Sequence, residues 1–385
     1  LTAALNDKNS AVRAGAASAV AGIGADAHDA AGALVKLLGD KEAHVRAAAA
    51  FAVGQVDADA SAAVEPLIGL LRDPESEPRI AAAVALGCFG PDAKAAVGPL
   101  RKLLKEKKNP AAHLTAIQTL GKIGPEARAA APDLAAQLRD PAPAVRFNAS
   151  KSLAAIGKDA VPALVAALKD DSPAARRFAV RALDAIGPDA KDAALALVPL
   201  LKDDDAEVQA AATAALPRLK PDWSEMVGPL TKMLDDRDYR DRAVAADVLS
   251  MTGEAGASAV APLAKLLADD DRELVRVAAA RALAHMGDRG FDALAAAAKS
   301  KDLSARRLAA VGLAQAGKRA VALLTPMLKD TEPSVRMAAA DSLGAIGADA
   351  VDAIDALKEA AKDPDAGVRD AIETALKRIQ GKQEK

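Results

Sequence analysis

Arginine and aspartate recur through this sequence at one separation. Arg46, Arg79, Arg146, Arg176, Arg276, Arg336 and Arg369 each follow an aspartate by six residues, namely Asp40, Asp73, Asp140, Asp170, Asp270, Asp330 and Asp363. Asp7, Asp203 and Asp236 stand in the same relation to Arg13, Gln209 and Arg242, while Lys107 and Ser300 replace the aspartate before His113 and Arg306. The pairing has an obvious chemistry. An aspartate in a tight turn accepts hydrogen bonds from backbone N–H groups just ahead of it. A guanidinium presents a rigid fork of donors that matches a carboxylate two bonds at a time. Such a row is either a ligand-binding ladder or a staple that ties turn to helix and each segment to the next. A repeated structure needs the second, which favours the staple.

Other reactive constellations are missing. The four histidines (His28, His44, His113, His285) stand apart, none in a His-Glu pair or at the i, i+4 spacing of a helical zinc site, and with one cysteine, Cys88, there is no thiolate cluster. No phosphate-binding loop, nucleophile elbow or strand-linked dinucleotide fingerprint occurs; Gly-Ile-Gly at 22–24 closes a helix. The acidic runs Asp203-Asp204-Asp205 and Asp269-Asp270-Asp271 fall in turns, where solvated caps are commoner than cation sites. The sequence therefore predicts no catalytic residues, no metal and no cofactor.

The elements that position the Asp–Arg row follow from its period. Taking the arginine slot as a register mark gives twelve positions: 13, 46, 79, 113, 146, 176, 209, 242, 276, 306, 336 and 369, spaced by 30 to 34 residues. A period in the range of roughly 20–50 residues signals stacked repeats in place of one globular core. Each repeat reads as two helices. The first is apolar at helical spacing (Leu34, Val35, Leu37, Leu38) and ends near the aspartate; the second starts after a turn rich in Asp, Pro and Ser and runs through alanines to a glycine eleven residues past the mark. Glycine suits that stop because the residue after a helix often needs a left-handed backbone. The expected fold is all-α, an α-solenoid (superhelix) of about twelve helix pairs forming a single array over residues 1–385. The repeat marked by Gln209 is the irregular one: Pro217 is expected to interrupt its second helix, Lys220-Pro221 replaces the glycine stop, and Trp223 follows, which places an irregularity or hinge at 217–223. The segments GADAHDA (24–30), DADASAA (57–63) and DRGFDAL (288–294) read as loops, and Pro199 and Pro326 as kinks deep in first helices.

A helix pair with a proline in the first helix, an aspartate in the turn and an arginine six later resembles the HEAT repeat. The alanine-rich wording of DTEPSVRMAAADSLGAIG (330–347) and DDRELVRVAAARALAHMG (270–287) is similar to the HEAT-like repeats named after phycobilisome lyases. The resemblance covers nearly the whole chain and implies the fold. For function it implies a non-enzymatic protein–protein interaction scaffold, or else a bilin lyase or isomerase, or a regulatory module of a larger enzyme. It also implies that the second helices line the concave side of the stack.

Composition narrows the partners. Lys plus Arg is 51 against 53 Asp plus Glu, a net charge of −2, which lacks the basic excess that nucleic-acid binding leaves. Aromatic content of 2% removes the platforms on which single strands stack. A protein or peptide partner is expected, nucleic acid is disfavoured, and no run is long and apolar enough to predict a membrane span. Oligomeric state is left open, and compartment too, with the cytoplasm slightly favoured. LTAALND at the start reads as the end of a first helix, so further repeats or a signal peptide are expected upstream, and the polar tail GKQEK reads as an end cap.

Helical register then separates core from surface. Offsets +3, +4, +7 and +10 from the mark are nearly always Ala, Val, Leu or Ile and should face the core; +1, +5 and +8 or +9 vary and should face the groove. Along the array the outward positions are Phe51, Ile80, Val84, Leu114 and Phe147, then Lys151, Arg177, Arg181, Arg218, Arg281 and Arg307. An apolar stretch hands over to a basic one, broken by Asp184 and Asp247. The first suits a docked amphipathic segment and the second suits carboxylates or phosphates; as plain structure, +1 would pack on the next helix and the arginines would solvate it.

Overall fold

The computed structural model describes residues 1–106 and 109–381; Lys107 and the tail from Lys382 onward lie outside the described residues. It is an all-α solenoid, built from helix pairs with no strand among the described residues. We number the second helices of the repeats α1 to α12. They are α1 (Ser10–Ile23), α2 (Ala43–Val53), α3 (Ser76–Cys88), α4 (Pro110–Ile123), α5 (Pro143–Ile156), α6 (Pro173–Ile186) and α7 (Ala206–Leu219). There follow α8 (Tyr239–Leu249), α9 (Glu273–Ala284), α10 (Leu303–Leu313), α11 (Pro333–Ile346) and α12 (Ala366–Ile379). The chain divides into two compact units, Leu1–Pro221 holding α1–α7 and Asp222–Lys385 holding α8–α12. The division falls inside the 217–223 interval. Within each unit successive second helices pack side by side, and each also packs on the first helix beside it.

The core is made of small contacts repeated many times. Offset +3 is fully buried alanine in most helices (Ala49, Ala149, Ala309), and +7 supplies the larger filler (Leu86, Leu153, Leu283, Leu343). One core expectation fails: Ile23, at +10 of α1, is 49% exposed. Offset +6, which the register left unassigned, is buried from α2 onward and carries Thr119, Ser152 and Ser342. Their hydroxyls donate to the +4 carbonyls of the preceding second helix, Thr119 to Ala83 at 2.8 Å, Ser152 to Ile117 at 2.8 Å and Ser342 to Ala310 at 3.0 Å. A buried hydroxyl has to find an acceptor, so this is where it is tolerated.

Backbone conformation explains how one repeat enters the next. Apart from Gly381, every left-handed residue in the described chain sits eleven residues past a mark, including the two that are not glycine, Asp57 (φ 50°) and Lys220 (φ 50°). At Gly24, Gly124, Gly157, Gly187 and Gly347 the pair φ 68 to 77°, ψ −136 to −144° is a region essentially closed to other residues. The chain passes from it directly into a 3-10 turn, so GADAHDA is the 3-10 helix Gly24–Ala30 and not a loop. Lys220 instead takes ψ 58°, the ordinary left-handed basin. After Asp57 and Lys220 no 3-10 turn forms; an aspartate two residues on, Asp59 or Asp222, caps the next helix by accepting the N–H of Ser61 or Ser224. Gly157→Ala is expected to cost about 2 kcal/mol although no atom crowds that site, whereas Lys220→Gly should gain about 1 kcal/mol. Hydrogen exchange of the last-turn amides of α5 and α7 reads both, and shifts of the same sign would refute the distinction.

Three other expectations are corrected. Pro217 does not interrupt α7, which runs on to Leu219, because a proline three residues from the end removes a single ladder bond. DRGFDAL belongs to the helix Gly287–Ala297, which starts at its stop glycine with no intervening turn. Pro326 lies within the helix Val321–Met327, while at Pro199 the first helix does change, from α (Ala194–Leu197) to 3-10 (Val198–Lys202).

Candidate functional site

Where the Asp–Arg row makes a rung, it joins one repeat to the next. Arg46 Nη1 donates to the carbonyls of Asp40 (2.9 Å) and Lys41 (3.1 Å) in its own turn. Its Nε and Nη2 grip Asp73 of the following repeat at 2.6 and 2.9 Å. Asp73 Oδ1 also accepts the N–H of Glu75 at 3.0 Å, the turn capping its sequence position requires. Arg13–Asp40, Arg176–Asp203, Arg242–Asp270, Arg306–Asp330 and Arg336–Asp363 repeat the geometry. The guanidinium hydrogen bond is the main cause holding the carboxyls of Asp40, Asp73 and Asp363 below their ordinary value. At Asp203, Asp270 and Asp330 burial pushes upward and is outweighed by that bond, a backbone N–H and the arginine charge.

Not every predicted member makes a rung. Arg79 reaches its own turn (Asp73 and Pro74 carbonyls, 2.6 and 2.9 Å), and among the described residues the carboxylate ahead of it is Glu106 at 3.8 Å, the next slot being Lys107. Arg146 likewise holds the Asp140 and Pro141 carbonyls, its Nε has no partner, and its guanidinium lies over the Phe178 ring; Asp170 is met instead by Arg139 at 3.6 Å. Asp140 accepts the Ala142 N–H and faces a repeat whose mark is His113, buried with Nδ1 at 2.7 Å from the Leu104 carbonyl. Arg276 pairs with Asp302, which stands in for Ser300, and terminal Arg369 holds only its own turn, through the Asp363 and Pro364 carbonyls. These breaks follow from which residue occupies the next slot.

The second-helix face is the other candidate. In the first compact unit Phe51 and Phe147 are 48% and 44% exposed, with Ile80, Val84 and Leu114 half-buried between them. Lys151 and Arg181 are exposed, and Arg181 lies 5.0 Å above the Phe147 ring. The basic stretch is not the open cationic run its composition suggests. Arg218 pairs with Asp184 at 2.6 Å, Arg177 with Glu207, Arg281 with Asp247 at 3.1 Å and Arg307 with Glu273. Burial raises the Asp247 carboxyl, offset in part by Arg281. Asp184–Arg218, Asp247–Arg281 and Glu273–Arg307 are each 34 residues apart, one repeat. That separation was the signal in the sequence: carboxylates one period away, not nearby in the chain. Phe147 and Arg181 are related in the same way. Among the described residues no group of three or more His, Cys, Asp or Glu could hold a metal ion, and no helix is long and apolar enough to cross a membrane.

A family model for HEAT repeats matches residues 1–87, 64–133, 131–217, 194–284, 227–311 and 291–377, almost the entire chain. The chain belongs to the HEAT-repeat family. Among solved structures, this HEAT-repeat stack is similar to the karyopherin Kap121p bound to the extreme C-terminus of the protein phosphatase Cdc14p, with a TM-score of 0.55 at 14% identity over 97% of this chain and 48% of that one. Kap121p bound to Nup53p gives 0.54 at the same identity and coverage, so the HEAT chain spans about half of the karyopherin's length. A crystal structure of an engineered protein is 25% identical over 91% of this chain and 98% of that one, with a TM-score of 0.42. Compared with curated protein sequences, the chain finds no match.

Proposed function

We propose that this HEAT-repeat chain is a non-enzymatic interaction scaffold that holds a segment of a partner protein along the second-helix face of α2–α6, the face the family resemblance puts on the concave side. The observation that carries the reading is the continuity of that face. Side-by-side packing of α2 to α6 brings Phe51 and Val84, at offset +5, and Leu114 and Phe147, at offset +1, onto it, and two of the five phenylalanines in the sequence are exposed there. Scattered apolar residues need no explanation, but aromatic side chains set along one row are the usual anchors of a docked segment. A similar helical stack has been solved with protein partners: Kap121p bound to the extreme C-terminus of Cdc14p, to Nup53p and to Ste12p. Within the family, kinship with the phycobilisome-lyase type rests on the wording of the repeats.

The reading is tested by selecting short random peptides against the immobilised chain and measuring the winners on a Phe51→Asp/Phe147→Asp variant. Both side chains are half-exposed, so the variant should keep its circular dichroism. Selected peptides are expected to lose about tenfold or more in affinity. Recovery of no binder, or of binders indifferent to both substitutions, sinks the scaffold reading.

A further inference from the structure

Charge is unevenly settled on the second-helix face. Arg177 and Arg218 of the first compact unit already hold Glu207 and Asp184. Lys122, Lys151 and Arg181 are exposed on α4, α5 and α6, and among the described residues none of them has a carboxylate in ion-pair range. On the outward positions of α2–α6 Asp184 is the one carboxylate, and it is engaged. Three unanswered cations therefore stand beside the apolar row.

Between α4 and α5 a groove of about 340 Å³ has Gly121 in its lining and is flanked by Lys122 and Lys151. Each of its other polar side chains already has a protein partner. Gln118 Nε2 donates to Asn148 Oδ1 at 3.1 Å, Asn148 Nδ2 to the Ala144 carbonyl at 2.8 Å, and Ser152 Oγ to the Ile117 carbonyl at 2.8 Å. The two ammonium groups are the charged donors left for a ligand, and an ammonium is a compact charge that answers a single carboxylate well. Arg181 completes the row one helix on, held over Phe147 by the cation–π contact.

We propose that the α2–α6 face takes an acidic amphipathic segment, its carboxylates on Lys122, Lys151 and Arg181 and its apolar side chains on Leu114, Val84 and Phe147. The assignment rests on the scaffold reading and adds the charge of the partner. A polynucleotide fits less well. Phosphate recognition favours free arginine forks, and here Arg177 and Arg218 already hold carboxylates, while the one aromatic ring beside the cations, Phe147, lies under Arg181.

Cys88, exposed on α3 of the same face and the one cysteine in the sequence, provides a site for an environment-sensitive fluorophore. Three peptides of one length and one apolar pattern, with Glu, Gln or Lys at the polar positions, are titrated against the labelled chain. The Glu peptide is expected to bind about tenfold tighter than the Gln peptide. That advantage should vanish near ~1 M salt, where the screening length is ~3 Å. In K122E/K151E/R181E, three surface changes, the Lys peptide should become the tightest. Equal binding of Glu and Gln peptides, or an unchanged order in the triple variant, overturns the acidic-partner assignment. If the peptides still weaken in the Phe51→Asp/Phe147→Asp variant, the scaffold reading survives that outcome; if they and the selected library peptides all fail to bind, both readings fall. An oligonucleotide that binds and is lost in the triple variant, while the Glu peptide does not bind, assigns the cations to nucleic acid and equally overturns the proposal.

Discussion

Replacing Asp73 with asparagine is expected to loosen the joint between α2 and α3 by on the order of 2 kcal/mol, the range for a hydrogen bond to a charged partner. Asp73 is 8% exposed and receives both prongs of Arg46 at 2.6 and 2.9 Å, so asparagine keeps the shape and one acceptor while leaving a half-buried guanidinium short of its counter-charge. Arg46→Met alone should cost a similar amount, and adding it to Asp73→Asn should cost little more, because one interaction is lost once. Arg79→Met, whose mark has no close carboxylate ahead of it, should cost less. A repeat array need not unfold in one step, so protection of α2 and α3 amides is the measurement to make. The pH dependence has a definite sign. The Asp73 carboxyl is held down in the folded state by Arg46, against burial. Its contribution is full above the unfolded value near ~4 and is lost as pH falls through the depressed folded value. Wild-type protection should therefore be flat from neutral pH down to about 5 and fall below about 4, with a shallower fall in Asp73→Asn. Equal acid sensitivity in the two proteins would show that Asp73 is not the group responsible.

How much of this was readable beforehand differs by level. The twelve marks and the glycine eleven residues on are properties of single positions, so period, helix type and stop were legible without any contact being known. Even the exceptions obey a rule visible in the sequence: where Asp57 or Lys220 replaces glycine, an aspartate follows two residues later to cap the next helix. The Asp–Arg row was legible in type but not in direction. Nothing local states that Nη1 of Arg46 turns back to its own turn while Nε reaches forward to Asp73. The outward face was legible as exposure and misleading as charge. Arg218, Arg281 and Arg307 read as a basic stretch because the carboxylates that answer them lie one repeat away, where only a stacked structure brings them close. What survives that cancellation, Lys122, Lys151 and Arg181, becomes visible only after the pairs are subtracted. Lys122 was not singled out, although at nine past His113 it stands at one of the offsets expected to face the groove, as Arg218 does past Gln209.

The second large effect comes from a residue whose importance depends wholly on its neighbour. Glycine in the middle of a helix is usually a defect, and alanine there should stabilise by roughly 0.5–1 kcal/mol. Gly15, inside α1, has nothing within 4 Å of where a Cβ would stand and should obey that rule. Gly121, inside α4, should reverse it. A Cβ there would lie 2.5 Å from Ser152 Oγ, 2.8 Å from Ser152 Cβ and 2.9 Å from its Cα. A serine rotamer could relieve the first of these, but the last is backbone, so α4 and α5 must move apart. Ser152 is also the donor to the Ile117 carbonyl, and parting the helices strains that buried bond as well. Gly121→Ala is accordingly expected to destabilise by about 2–3 kcal/mol, in the range for overpacked cores. A Cβ at Gly54 or Gly344 would likewise stand 2.9 Å from a facing alanine Cα, so both should behave alike. Thermal unfolding of Gly15→Ala and Gly121→Ala decides the matter by sign, and stabilisation in both would mean the second helices are not in such close contact. The consequence reaches the binding face. Lys122 and Lys151 are set apart by this helix spacing, so a chain that folds with alanine at 121 should hold the Glu peptide less tightly even though no cation has been changed.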